Sequence, residues 1–223
     1  MVAERLSVVV PALNEAAGIR AALEALAPLR RAGHEVILVD GGSGDGTPEL
    51  AAGLCDRVLR TARGRGLQMN AGAQAASGSA VVFLHADSRL PANAATKILE
   101  SLKTHLWGRF DVDIESRHRL LKVVACAMNQ RSRLTGIATG DQAIFVRRDA
   151  FPGLREVALM EDVAFSRDMK RRGPPACLRS RVTTSGRRWE SRGVVRTIVL
   201  MWQLRLLHFF GAKPEDLARR YAK

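Results

Sequence analysis

A chain of 223 residues supplies one sizeable core and too little material for two full domains. Its 47% hydrophobic content is ordinary for a globular protein, and the three cysteines, Cys55, Cys126 and Cys177, form no CxxC or Cys/His cluster, so they read as small buried apolar residues in a reduced compartment. The net charge of +13 is uneven: Lys170 to Lys223 hold 14 Lys/Arg against 3 Asp/Glu, the first 169 residues 21 against 19. A basic last quarter either attracts phosphate, anionic lipid or nucleic acid, or is a solvated face that aids solubility.

In chain order, Leu6–Val10 is a β-branched run ending at Pro11, as in a buried strand. The apolar run is too brief for a signal peptide, so nothing directs export and the cytoplasm is the expected location. Glu15–Leu26 puts Ile19, Leu23 and Leu26 at helical spacing, with Asn14 as the expected N-cap. Val36–Val39 is a second strand, closed by Asp40-Gly41-Gly42-Ser43-Gly44-Asp45-Gly46-Thr47, and Thr47 and Pro48 are expected to cap and open a helix. Arg57–Leu59 is a short third strand, Gly66–Ala76 a helix, and Ala80–Leu84 a uniformly apolar fourth strand covered on both faces. Strands alternating with helices predict parallel β-α-β units, whose ligands bind beyond the carboxyl ends of the strands. Those ends carry Asn14-Glu15, Asp40 and His85-Ala86-Asp87.

Further on, the pattern predicts a strand at Arg109–Ile114, a helix at Arg117–Arg133 and a strand at Gln142–Val146. A helix follows Met160-Glu161-Asp162, Leu178–Thr183 is extended, and Val194–Phe210 is a long apolar helix. Arg196, Gln203 and Arg205 inside that helix argue against a membrane span. It is either buried against the sheet or lies in a membrane interface.

Each polar cluster alone admits two readings. The glycine-rich loop is a tight turn, or it brings backbone amides close to an anion; it has neither Walker A nor GxGxxG spacing. Asp87 is a loop cap or a ligand for a hard divalent cation, which needs few carboxylates when substrate oxygens and waters complete its shell. Glu161 and Asp162 either complement a helix N-terminus or provide a general base.

In combination the order and spacing are specific. Val8 to Glu15, Val39 to Thr47, Arg65 to Gly72, Phe83 to Asp87 and Met160 to Asp162 resemble the GT-A fold of family 2 glycosyltransferases. That resemblance implies an α/β fold, Rossmann-like, with a mostly parallel central sheet flanked by helices. It implies one catalytic domain over 1–190, with a donor-nucleotide half (1–90) and an acceptor half (91–190), followed by a basic amphipathic helical extension over 191–223.

By position, Pro11, Leu13 and Glu15 would line the nucleoside pocket, and Asp40 would accept a hydrogen bond from the base, commonly uracil. Arg63, Arg65 and Asn70 would lie near the phosphates, with His85 and Ala86 against the donor. Asp87 would hold a divalent metal, Mg2+ or Mn2+. Asp162 would be the base of an inverting displacement, with Asp141, Gln142, Glu161, Arg188 and Trp189 facing sugar or acceptor.

Three departures stand out. His85 replaces the first acid of the family's DxD motif, Gly41 replaces an acid of its loop, and Ser185 replaces Gln in a QxxRW-like segment ending at Trp189, which leaves processive polymerisation unsupported. Leu84-His85-Ala86-Asp87, Thr139-Gly140-Asp141-Gln142 and Arg187-Arg188-Trp189-Glu190 resemble a compact bacterial subgroup associated with arsenosugar biosynthesis. The expected partners are a nucleotide-sugar donor, UDP-sugar favoured, a small-molecule or lipid acceptor, and an anionic membrane surface at the inner face. The competing classes are a sugar-nucleotidyltransferase, which lacks its basic Gly-rich segment here, and a nucleic-acid-binding protein. With 5% aromatic residues and no RNA-binding or helix-turn-helix signature, no nucleic-acid partner is expected.

Overall fold

The computed structural model describes residues 4–222, except the side chains of Arg188, His208, Phe209 and Ala222. Eight strands form one sheet: β1 (Leu6–Ala12), β2 (Glu35–Asp40), β3 (Arg57–Arg60), β4 (Ala80–Phe83), β5 (Ser88–Arg89), β6 (Trp107–Glu115), β7 (Phe145–Arg147) and β8 (Ala176–Ser185). Their order is β3-β2-β1-β4-β7-β6-β8-β5. The β3-β2-β1-β4 half is parallel throughout. Beyond it β7 runs antiparallel to β4 and β6, β8 runs parallel to β6, and β5 antiparallel to β8.

Ten helices surround the sheet: α1 (Ala16–Glu24), α2 (Ala27–Arg31), α3 (Thr47–Ala51), α4 (Arg65–Ala75), α5 (Ala94–Ser101), α6 (Leu120–Thr135), α7 (Glu161–Lys170), α8 (Arg187–Arg192), α9 (Val194–Phe209) and α10 (Pro214–Ala222). Alternate strand residues divide between two cores, as a pleat requires. Leu6, Val8, Val10, Val36, Leu38 and Val82 meet Ile19 and Leu23 of α1 and Ile98 of α5. Val9, Ile37, Val39, Val81 and Phe83 meet Met69 and Ala73 of α4 and Phe165 and Met169 of α7. Each such side chain contributes roughly 1.5–3 kcal/mol on full burial, which is why these uniformly apolar runs form central strands. Gly72 lets α4 lie directly on β1, since a methyl there would sit 2.3 Å from Val9 Cγ1.

Several local expectations shift. The predicted first helix is α1, ending at Glu24, with the short α2 following it, and Asn14 does not cap it: Asn14 has φ 54°, and its Oδ1 accepts from Gly44 N at 3.0 Å. Thr47 is the first residue of α3, and its amide donates to Asp45 Oδ1 at 3.1 Å. α6 begins at Leu120 and runs to Thr135. Gln142 lies in a one-turn 3-10 helix, Gly140–Gln142, leaving β7 to begin at Phe145. Cys55 is buried as expected, but Cys126 is exposed. No described helix is long and apolar enough to cross a membrane.

Candidate active site

The loop 40–47 closes on itself. Asp40 Oδ2 accepts from Gly42 N and Ser43 N, both at 3.0 Å, while Asn14 N donates to Ser43 Oγ at 2.8 Å. Ala16 N donates to Asp45 Oδ2 at 3.0 Å, and Glu15 N to Thr47 Oγ1 at 2.9 Å. Glycines at 42 and 46, with φ of 88° and 84°, permit this winding. With those amides spent internally, the loop is a wall rather than a phosphate cradle. Asp40, opposite Ala12 in the β1–β2 register, keeps one buried carboxylate oxygen, Oδ1, with no hydrogen-bond partner among the described residues. A buried acceptor left unpaired costs about 1–3 kcal/mol, a cost that a donor from a ligand would remove.

Beyond the ends of β1 and β4 lies a cavity of about 200 Å³. Pro11, Glu15 and Arg65, His85, Ala86 and Asp87, and Asp141, Glu161 and Asp162 all line it. Pairing of β5 with β8 draws Trp189 to the same place, with Ser185 N donating to Asp87 O at 3.2 Å and Ser88 Oγ to Thr184 Oγ1 at 2.9 Å.

Asp162 stands in the first turn of α7, where the helix dipole favours an anion. Its Oδ2 accepts from Gly140 N at 2.8 Å. Glu161 beside it is buried, with Oε1 3.9 Å from Arg65 Nε. Burial, reinforced by the Asp162 charge, pushes the Glu161 carboxyl above its ordinary pKa, against the pull of Arg65 and His85. His85 Nδ1 lies 3.2 Å from Asp141 Oδ1, and only a glycine at 140 leaves room for the imidazole.

A polar network behind the cavity holds the Thr139–Gln142 turn in place. Arg109, fully buried on β6, pairs with Asp111, which Arg133 of α6 also engages. Asn129 binds both the amide and the carbonyl of Val112 at 2.9 Å, and its Oδ1 accepts from Gln142 Nε2 at 3.3 Å. Gln142 Oε1 in turn accepts from Thr139 N at 3.2 Å.

Of the expected site residues, Pro11, Glu15, Arg65, His85, Ala86, Asp87, Asp141, Glu161, Asp162 and Trp189 meet in this cavity. Leu13 and Asp40 lie outside its lining, at the neighbouring strand ends, and Arg63 is exposed on a loop away from it. Asn70 is withdrawn because its side-chain amide is consumed by the backbone of Leu154, at 2.9 and 2.7 Å. Gln142 is fully buried and supports the site from behind. The Arg188 side chain lies outside the described residues.

Sequence reasoning missed Gln68, Arg131 and the part played by α9. Gln68 Nε2 donates to Ala12 O at 2.7 Å and Val39 O at 2.8 Å, tying the ends of β1 and β2 together. Thr197, Leu200, Met201 and Arg205 of α9 line the cavity, joined by Tyr221 of α10. The helix once set apart as an extension therefore roofs the site. Burial and the nearby Arg205 charge push the Arg131 guanidinium down to about 10, while Asp162 opposes the shift. Arg205 is lowered by its own burial, against Asp162 and Asp141. The signal for Arg205 was its presence inside an otherwise apolar helix.

A parallel first half, a second half of mixed parallel and antiparallel pairing, and a cavity carrying several carboxylates at the strand ends define a GT-A glycosyltransferase fold. The chain belongs to Glycosyl transferase family 2, whose pattern matches residues 7–151. A "PGL/p-HBAD biosynthesis glycosyltransferase" of Mycobacterium bovis is 36% identical over 97 residues, covering 40% of this chain and 38% of that protein. The match thus spans well under half of the relative's length. Among solved structures, S. aureus TarS 1-349 in complex with UDP-GlcNAc superposes with a TM-score of 0.65 at 16% identity, over 81% of this chain and 58% of that one. The mannosyltransferase PcManGT from Pyrobaculum calidifontis, in complex with GDP-Man and Mn2+, reaches a TM-score of 0.66 at 19% identity, over 98% and 69%.

Proposed function

We propose that this cavity transfers a sugar from a nucleoside-diphosphate sugar, UDP-sugar favoured, to an acceptor hydroxyl with inversion at the anomeric carbon. The observation that carries the reading is Asp162: a carboxylate on a helix N-terminus, oriented by Gly140 N, lining one cavity together with His85, Ala86 and Asp87. The acceptor oxygen attacks the anomeric carbon as its proton passes to Asp162. The anomeric C–O bond to the diphosphate breaks, and its electron pair leaves with the diphosphate. The unpaired Asp40 Oδ1 accepts from the base, and Pro11 and Glu15 bound the nucleoside side.

A divalent metal suits the donor set. Among the described residues no group of three or more His, Cys, Asp or Glu is placed to hold a metal ion by itself. Mg2+ and Mn2+ that share substrate phosphates and keep waters need one or two carboxylates, and Asp87 supplies one. Such an ion would neutralise charge on the leaving diphosphate. His85 is turned to Asp141 rather than to Asp87.

The apolar side chains Leu159, Leu200, Met201 and Trp189 in the lining support an acceptor with an apolar body, delivered at the cytoplasmic face of a membrane. The resemblance to the arsenosugar-associated subgroup supports a small-molecule acceptor instead, and an acceptor panel separates the two. The division into a catalytic unit over 1–190 and an extension over 191–223 belongs to the same reading. The test is thermal shift and nucleotide release with UDP-, GDP- and other donor sugars, with and without Mn2+. Stabilisation and turnover with a UDP-sugar are expected; no nucleotide bound under any condition would overturn the reading.

A further inference from the structure

α9 has two apolar faces, and only one is covered. Leu200, Met201, Leu204 and Leu207 pack with Met160, Val163, Leu217 and Tyr221. On the other side Val195 (62% exposed), Val199 (48%), Trp202 (73%) and Leu206 (58%) stand in solvent. At about 100° per residue these four fall within about 60° of arc, opposite Leu204. A contiguous apolar stripe of this kind marks an interaction surface.

Charge decides the occupant. Arg196 on α9 and Lys213, Arg219 and Arg220 just beyond it are exposed, Arg219 paired with Asp216, and the whole chain carries +13. Like charge opposes a second copy brought face to face, whereas an anionic lipid surface complements it. With no described helix able to span, an exposed apolar stripe bearing Trp202 in the basic last quarter of the chain fits a helix lying in the interface.

The opposite face of α9 roofs the cavity, and at about 200 Å³ that cavity is smaller than the roughly 300–1,000 Å³ typical of small-molecule sites. Leu13 and Asp40 of the proposed nucleoside side lie outside that lining, so this cavity has to admit the sugar and the acceptor, and a shift of α9 would widen it. Glycines with positive φ, Gly193 at 84° and Gly211 at 86°, stand at the two ends of α9 and give it pivots. We propose that the outward stripe of α9 docks on an anionic bilayer and that docking lifts the roof from the site beneath. The second half rests on the cavity being the transfer site; the first does not.

The experiment uses the full chain with phosphatidylcholine vesicles, with and without phosphatidylglycerol, at low and high salt. Binding is expected for the anionic vesicles, weakened by salt, with a blue shift of Trp202 emission that is lost in Trp202→Phe. The double variant Trp202→Ser/Leu206→Ser, altered only at exposed positions, is expected to melt like the parent and to bind at least about tenfold more weakly. Docking is overturned by absence of binding at low salt, by unchanged binding of the double variant, or by a homodimer in light scattering that the double variant dissolves. For the coupling, anionic vesicles are expected to raise donor turnover severalfold in the parent and not in the double variant. Equal turnover with and without vesicles overturns it. Failure to bind nucleotide both with and without vesicles counts against the transfer reading instead, because vesicle binding is measured separately.

Discussion

Replacing Gly140 with alanine would place a methyl carbon 2.4 Å from His85 Nε2 and 2.8 Å from His85 Cε1. That is about 1 Å or more inside a normal contact between heavy atoms. The imidazole has little room to retreat: its side chain is only 11% exposed, with Asp141 at its Nδ1. Overpacking of this kind costs about 1–3 kcal/mol, which for a chain of this size lowers the melting temperature by about 2–12 °C. Gly140 N also orients Asp162 Oδ2. A displacement of about 1 Å at a catalytic group lowers turnover about 100-fold. Calorimetric melting and nucleotide release from the donor measure the two effects, with Gly44→Ala, where a methyl meets nothing within 4 Å, as control. A Gly140→Ala protein that melts within about 1 °C of the parent and turns over normally would refute the close packing of His85 on this turn.

Glu161→Gln tests the buried carboxyl. Because its folded pKa is raised, its contribution to stability is fully present below the ordinary 4.5 and is lost as pH rises through the folded value. The melting temperature of the variant relative to the parent is therefore expected to climb as pH rises from 4.5 through the folded value, and a pH-independent difference would contradict the burial argument. Asp87→Ala is expected to weaken Mn2+-dependent UDP binding at least about 10-fold while sparing metal-free binding, measured by calorimetry. Equal loss with and without metal would mean that Asp87 holds the loop rather than the ion. Asp40→Ala, which removes the unpaired Oδ1, is expected to weaken uridine nucleotides by about 10–100-fold, and unchanged affinity would leave that oxygen without a ligand.

The central strands were legible because Val8-Val9-Val10 and Val36-Ile37-Leu38-Val39 are apolar at every position, which only a sheet covered on both faces accommodates. Asp87 and Asp162 were legible as a pair through their spacing from those strands and the family resemblance, since either alone fits a cap. Arg109 was not: a charged residue in a strand reads as solvent-facing, and its burial depends on Asp111 and Asn129 arriving from the same strand and from α6. Asn70 and Gln142 were placed in the site by motif, but both amides are consumed by protein partners that local sequence does not reveal. α9 was read as buried or interfacial, and it is two-sided, because its inner face meets a helix start, Met160 to Val163, about 40 residues earlier.

Asp162→Asn keeps the shape and removes the base. Transfer, or donor hydrolysis with water as acceptor, measured beside calorimetric UDP affinity tests the proposed chemistry most directly. Turnover is predicted to fall about 100- to 10,000-fold with nucleotide binding unchanged. Full turnover in Asp162→Asn would contradict the assignment of this cavity as the transfer site with Asp162 as its base.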